Sequence, residues 1–223
     1  MWNPTVWLDR CDSTQSILKK NQVPYFTVVA TGYQDAGYGR QKAAWLSQPN
    51  KNLLFSFQRP FQEKERSWLW LSVLCSTLKL VQAQGIDVWI KPPNDLYVGR
   101  KKLAGILVEA HALPERHATI GVGLNVLQTQ FNQDLMATSL MHEKPQDYDL
   151  MQLLTSWQSI YQATVTQSHE SQISLYTNHI RVESLDIFEN GCLLEQVEWL
   201  NDGSMVSQGR RLNPNHLVYK LKP

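Results

Sequence analysis

Three stretches of the chain hold side chains that could act on an anion. Lys91 ends the strand-like run Val88-Trp89-Ile90 and meets Pro92-Pro93, which lack the backbone donors needed to continue a ladder, so its ammonium stands where a strand emerges into a turn. Asn94-Asp95 fixes that turn by bonding its own backbone, and a second cation, Lys102, follows. Between Thr31 and Trp45, Gly37 and Gly39 flank Tyr38 and precede Arg40, whose planar fork of donors suits phosphate or carboxylate. This loop matches neither the phosphate-cradling GxxxxGK[ST] nor the dinucleotide GxGxxG pattern. Ser13-Thr14 open a helix, where hydroxyls and free amides bind polar or anionic groups. Each stretch also has a plain reading, as a solvated lysine, a mobile loop or an ordinary helix cap.

The elements that must hold these groups follow from patterning. Val6-Trp7-Leu8 and Thr27 to Ala30 read as strands, and Asp12 with Gln15 as a capping pair before a helix over 13–20. Leu53, Phe55 and Phe57 fall on one face of a strand. Trp68, Leu71, Leu74, Leu78 and Val81 give a packing stripe on a helix over 63–83, with Gly85 as its stop. Leu96 to Val98 and Leu103 to Val108 pair through Gly99-Arg100, and Gly105 marks a close approach. Thr119 to Val126 is a strand with Gly121 and Gly123 on one face, and Leu150, Leu153, Leu154, Trp157, Ile160 and Tyr161 define an amphipathic helix. Past residue 174 the pattern turns to short strands near 180–184, 191–199, 204–209 and 215–221, with turns at Glu189-Asn190-Gly191 and Asn201-Asp202-Gly203.

Composition narrows the function. With 21 Lys and Arg against 20 Asp and Glu, the formal net charge is +1, and no global field favours nucleic acid or an anionic membrane. Cys11, Cys75 and Cys192 are odd in number and far apart, which opposes a disulfide framework and a cysteine metal site. The six histidines form no ligand-spaced pair, so no metal centre is expected. No apolar run reaches membrane-spanning length and the first residues lack a leader pattern, so a cytoplasmic protein without membrane contact is expected. The 223 residues suit one main domain with a small appendage: 1–173 and a β unit over 174–223.

Lys91-Pro92-Pro93-Asn94-Asp95-Leu96 followed by Lys102-Leu103-Ala104-Gly105-Ile106-Leu107-Val108-Glu109 resembles the central signature of the biotin protein ligases. In that family a tryptophan stands where this chain has Pro92. Three further motifs occur in the family's order: Ser13-Thr14 with Gln15 for an asparagine, the loop of Gln34, Gly37, Gly39, Arg40 and Trp45 with Tyr38 for an arginine, and Ile120-Gly121-Val122-Gly123-Leu124-Asn125-Val126.

The resemblance implies an α+β fold, with a mixed, largely antiparallel sheet, helices on one side and a small C-terminal β-barrel-like domain. It implies activation of biotin by ATP, with magnesium accompanying the nucleotide, and transfer of biotin to a lysine of a biotin carboxyl carrier domain. Lys91 and Arg40 would be catalytic. Ser13, Thr14, Gln34, Gly37, Gly39, Lys91, Gly105 and Gly121 would bind biotin; Arg40, Trp45, Lys91, Asn94, Lys102, Gly123 and Asn125 would bind the adenylate side. The loop over 32–45 is expected to be mobile without ligand and to fold over the adenylate, with Tyr38 packing on the ligand. A monomer or weak homodimer is expected. The signature begins by Asp12, leaving no room for the DNA-binding domain of some relatives, and no DNA binding is expected. The rival readings are a degenerate biotin-binding paralogue and a lipoate ligase.

Overall fold

In the computed structural model, which describes residues 2–20, 23–112, 115–132, 135–200, 204–214 and 217–222, seven strands form the main sheet. They are β1 (Val6–Leu8), β2 (Val29–Thr31), β3 (Asn52–Pro60), β4 (Trp89–Lys91), β5 (Asp95–Val98), β6 (Lys101–His111) and β7 (His117–Asn125), in the order β1-β2-β3-β7-β6-β5-β4. Only the β1–β2 pair is parallel.

The alternation in β3 divides the molecule. Phe55 and Phe57 meet Trp157 on helix α4 (Leu150–Val165), with ring centroids at 4.7 and 5.8 Å. Ser56 and Gln58 turn to the other face, where Ser56 Oγ lies 2.7 Å from Thr14 Oγ1 on α1 (Thr14–Lys20) and Gln58 Nε2 donates to the Leu18 carbonyl. The long helices α2 (Leu71–Ala83) and α4 therefore cover one face with most of the core, while short α1 lies on the face that carries the polar groups. A single turn, α3 (Leu140–Glu143), and α5 (His169–Asn178) complete the helices. Asp149 caps α4 by accepting from the Met151 and Gln152 amides, and Gly85 ends α2 at φ +75°, in the left-handed region that glycine enters without strain.

The helix expected over 63–83 is two elements. Glu63–Trp68 is a 3-10 turn whose Glu65 bonds the Gln62 amide and reaches Arg59 at the end of β3, which ties the turn to the sheet instead of to the axis of α2. Gln15 does not cap α1. Its amide donates to Glu109 and the Thr119 carbonyl, and the Thr14 N–H is met by Gln34 Oε1 at 2.8 Å. Helix α5 has no apolar stripe in the sequence because its buried side is narrow: Gln172, Ile173 and Tyr176.

Residue 174 falls inside α5, and the strand expected at 180–184 is a 3-10 turn at Val182–Ser184. Two three-stranded sheets follow: β8 (Leu185–Glu189), β9 (Cys192–Leu193) and β13 (Val218–Leu221), and β10 (Val197–Trp199), β11 (Met205–Ser207) and β12 (Arg210–Leu212). Gln196 at φ +50° splits the expected 191–199 strand, and Gln208-Gly209, both left-handed, turn β11 into β12. The turn at Asn201-Asp202-Gly203 lies outside the described residues. A second core of Trp89, Tyr97, Leu185, Ile187, Met205, Leu212, Leu217 and Tyr219 joins these sheets to β4 and β5.

Candidate active site

Strand register brings the separate motifs together. Lys91 sits opposite Asp95, Asp95 opposite Gly105, Gly105 opposite Gly123 and Gly123 opposite Leu54, so residues from four stretches of chain form one row across the sheet. Lys102 reaches the same side through the register shift between β5 and β6, which spends an extra residue at Leu103 and leaves Leu103 and Ala104 both in the core.

A cavity of about 360 Å³ lies on this face. Ser13, Thr14, Gln15, Gln34 and Ser56 line its polar end; Arg40, Lys91 and Lys102 supply its cations; Trp45, Gly105, Gly121 and Gly123 form wall and floor. Burial, first of all, holds the Lys91 ammonium below its ordinary pKa; Asp95 opposes this, and Lys102 and Arg40 add to it. Lys102 Nζ lies 2.8 Å from Asp95 Oδ1, though not aligned as a hydrogen bond. Three cations thus converge with one carboxylate between them, an arrangement that favours a ligand with more than one negative group.

The glycines divide by what approaches them. A Cβ on Gly123 would lie 2.6 Å from the Trp45 ring, and one on Gly105 would lie 3.1 Å from it. The paired glycines therefore seat the indole, where they were expected to admit the ligand directly. Lys102 Nζ stands 5.4 Å from the same ring, so the indole is held between sheet and cation. Gly121 faces Gln15 and Ser56.

The segment before Trp45 is a short hairpin. Trp45 donates its amide to Gly37, Gly39 to Ala43, and Tyr38 bridges Ala44. At its tip Gln41 and Lys42 both take positive φ, 52° and 60°. Arg40 is exposed and donates to Asn94 Oδ1 at 3.4 Å, while Asn94 Nδ2 donates to the Ile106 carbonyl, so Asn94 clamps the β4–β5 turn onto β6. Tyr38 is on the cavity wall, but its hydroxyl is directed to Glu109.

Gly37 and Asn125 do not line the cavity. A Cβ on Gly37 would lie 2.8 Å from Gln34 Nε2, so this glycine makes room for Gln34. Asn125 is buried and donates to the Thr138 carbonyl at 2.9 Å, which fastens β7 to the segment before α3. Asn125→Ala is therefore expected to lower stability by about 1–2 kcal/mol, since it strands a buried carbonyl. Thermal unfolding checks the loss.

Leu217, Val218 and Tyr219 also line the cavity. Their contribution comes from sheet packing far along the chain and has no local motif to announce it. Among the described residues, no three His, Cys, Asp or Glu side chains stand together as metal ligands.

Residues 7–125 match the biotin/lipoate A/B protein ligase family. The chain is 34% identical over 148 residues to the bifunctional ligase/repressor BirA of Bacillus subtilis, covering 60% of this chain and 45% of that protein. It is 33% identical over 121 residues to the biotin--[acetyl-CoA-carboxylase] ligase of Mycobacterium tuberculosis, covering 51% of this chain and 44% of that protein. It spans about half the length of the curated relatives it matches. In fold it is similar to the biotin protein ligase of Aquifex aeolicus in complex with biotin and ATP, with TM-score 0.84 and 23% identity over 99% of this chain and 100% of that one. It is also similar to the Leishmania major ligase in complex with biotinyl-5-AMP, with TM-score 0.70 and 18% identity over 91% and 93% of the two chains.

Proposed function

From the premise that the chain belongs to the biotin/lipoate A/B protein ligase family, we propose that it joins biotin to a lysine of a biotin carboxyl carrier domain in two steps. A biotin carboxylate oxygen attacks the α-phosphorus of ATP and pyrophosphate leaves, forming biotinyl-5'-adenylate. The lysine amine then attacks the acyl carbon and AMP leaves. Both partners of the first step are anions, so their approach needs fixed positive charge where carboxylate meets phosphate.

One observation carries the reading. A single cavity has hydroxyl and amide side chains at one end, suited to a polar uncharged ring, and the convergent cations Lys91, Arg40 and Lys102 at the other. Ser13, Thr14 and Gln34 face the ring, Lys91 and Arg40 the reacting oxygens, and Trp45 the nucleotide. Magnesium is a companion of ATP here, carried on its phosphates. We further propose that the catalytic unit runs to the end of α5 with the small sheets as a second unit closing the cavity.

The test is incubation with radiolabelled biotin or lipoate, ATP and a purified carrier domain. Label from biotin on the carrier lysine supports the reading. Label from lipoate alone replaces it with a lipoate ligase, and biotin bound without transfer replaces it with a biotin-binding paralogue.

Arg40 is the exposed cation of the three, with Asn94 as its hydrogen-bond partner among the described residues. Arg40→Gly is expected to leave activation measurable while releasing the adenylate, so that lysines of bystander proteins are biotinylated. Adenylate in the filtrate of a single-turnover reaction reads the escape, and retention at the wild-type level would remove Arg40 from this role.

A further inference from the structure

The contacts that hold down the hairpin over 37–45 centre on a residue that the reaction does not use. Glu109, the last residue of β6's motif, accepts from Lys19 Nζ at 2.6 Å and from Gln15 Nε2 at 2.9 Å, so α1 fixes its carboxylate from two sides. Tyr38 donates its hydroxyl to that carboxylate at 3.2 Å and accepts from Lys19 at 3.1 Å. Lys42 Nζ lies 4.1 Å from the centre of the Tyr38 ring, from the tip of the same hairpin. Glu109 itself is not part of the cavity wall.

The hairpin needs such an anchor because its turn is unfavourable. Gln41 and Lys42 both occupy the left-handed region, which side chains other than glycine and asparagine enter only at a cost. Left alone, the tip would relax and carry Arg40 away from the cavity. Two anchors oppose this: the Trp45 indole on the paired glycines and the Tyr38 hydroxyl on Glu109.

We propose that Tyr38 and Glu109 are positioning residues whose hydrogen bond latches the Arg40 hairpin over the cavity before any ligand arrives. The inference rests on reading the cavity as an adenylate site, but the latch itself is independent of which acid is activated. At the place where the resembling family carries an arginine, this chain has a neutral donor that bonds Glu109. The Tyr38 ring therefore closes the hairpin without adding a fourth cation to Lys91, Arg40 and Lys102.

The experiment is limited trypsin digestion of the full chain without ligand, following by mass the fragments cut after Arg40 and Lys42, both exposed at the hairpin tip. Tyr38→Phe keeps the ring and removes the hydroxyl's bonds to Glu109 and Lys19, and is expected to speed these cuts at least about fivefold, the worth of one ordinary hydrogen bond, while thermal unfolding stays nearly unchanged. Glu109→Ala is expected to speed the cuts likewise while also releasing Lys19 and Gln15, and the double variant to fall short of the product of the two single effects. Tyr38→Arg is expected to restore protection when Glu109 is present and not when it is absent. In the labelling reaction KM for acid and ATP should rise with kcat nearly kept, since ordering is lost and the reacting groups are not. Unchanged cleavage in Tyr38→Phe, or effects that simply add in the double variant, overturns the latch. If biotin is not activated at all but the cleavage pattern holds, the functional reading fails and the latch stands.

Discussion

Replacing Lys91 with methionine is expected to lower adenylate formation by a factor of at least about 10²–10³, the scale on which removing a group aimed at developing charge acts. The same change should make the protein more stable. Its ammonium is disfavoured where it stands, by burial first and then by Lys102 and Arg40, with only Asp95 in its favour. The folded-state pKa lies below the ordinary 10.5, so between the two values the unfolded chain binds more protons and stability rises with pH. Below the folded value both states carry the charge and the penalty is present in full, as at neutral pH. Lys91→Met should therefore unfold at a higher temperature than wild type at pH 7, and that difference should vanish as the pH rises through 10.5. Pyrophosphate exchange and thermal unfolding on the same samples read both effects; exchange near the wild-type rate would remove Lys91 from the chemistry. For the wild type, kcat/KM should fall as pH rises through the lowered pKa, because the free enzyme needs the ammonium. An alkaline limb beginning only above 10.5 would contradict the placement.

Trp157→Ala is the second large effect, and it concerns the scaffold. The indole is wholly buried, donates to Thr77 Oγ1 at 3.0 Å, and lies among Phe55, Phe57 and Tyr161. Removing it should cost about 3–5 kcal/mol, the usual range for an aromatic cavity left in a packed core. A denaturant titration measures it, with the midpoint expected to fall while the slope is kept. A loss below about 1 kcal/mol would mean that the interface between α4 and β3 can collapse into the space. The cavity lies on the opposite side of β3, so any folded Trp157→Ala fraction should keep its KM.

The site was legible wherever its residues lie close together in sequence. Lys91 with Asn94, Lys102 with Gly105, and Gly121 with Gly123 each announce themselves within a few positions, and hairpin register aligns them across the sheet. The sequence does not tell a glycine that admits a ligand from one that admits a side chain, so Trp45 on Gly105 and Gly123 could not be foreseen. Asn125 illustrates the same limit. An asparagine at a strand end suits a ligand or a neighbouring carbonyl equally, and here it meets Thr138. For the fold, the β3, α2 and α4 patterns were plain because their apolar faces are wide. Helix α5 buries too narrow a face to show, and the C-terminal strands were cut by left-handed backbone at Gln196 and Gln208.

Tyr219 reaches the cavity from β13. β13 is fastened to β8 from Val218 opposite Phe188 to Leu221 opposite Leu185, and the second core packs both against β4, the strand that carries Lys91. One side of the pocket therefore depends on a seam that none of the four motifs touches, and loosening that seam would open the cavity sideways while every motif kept its place.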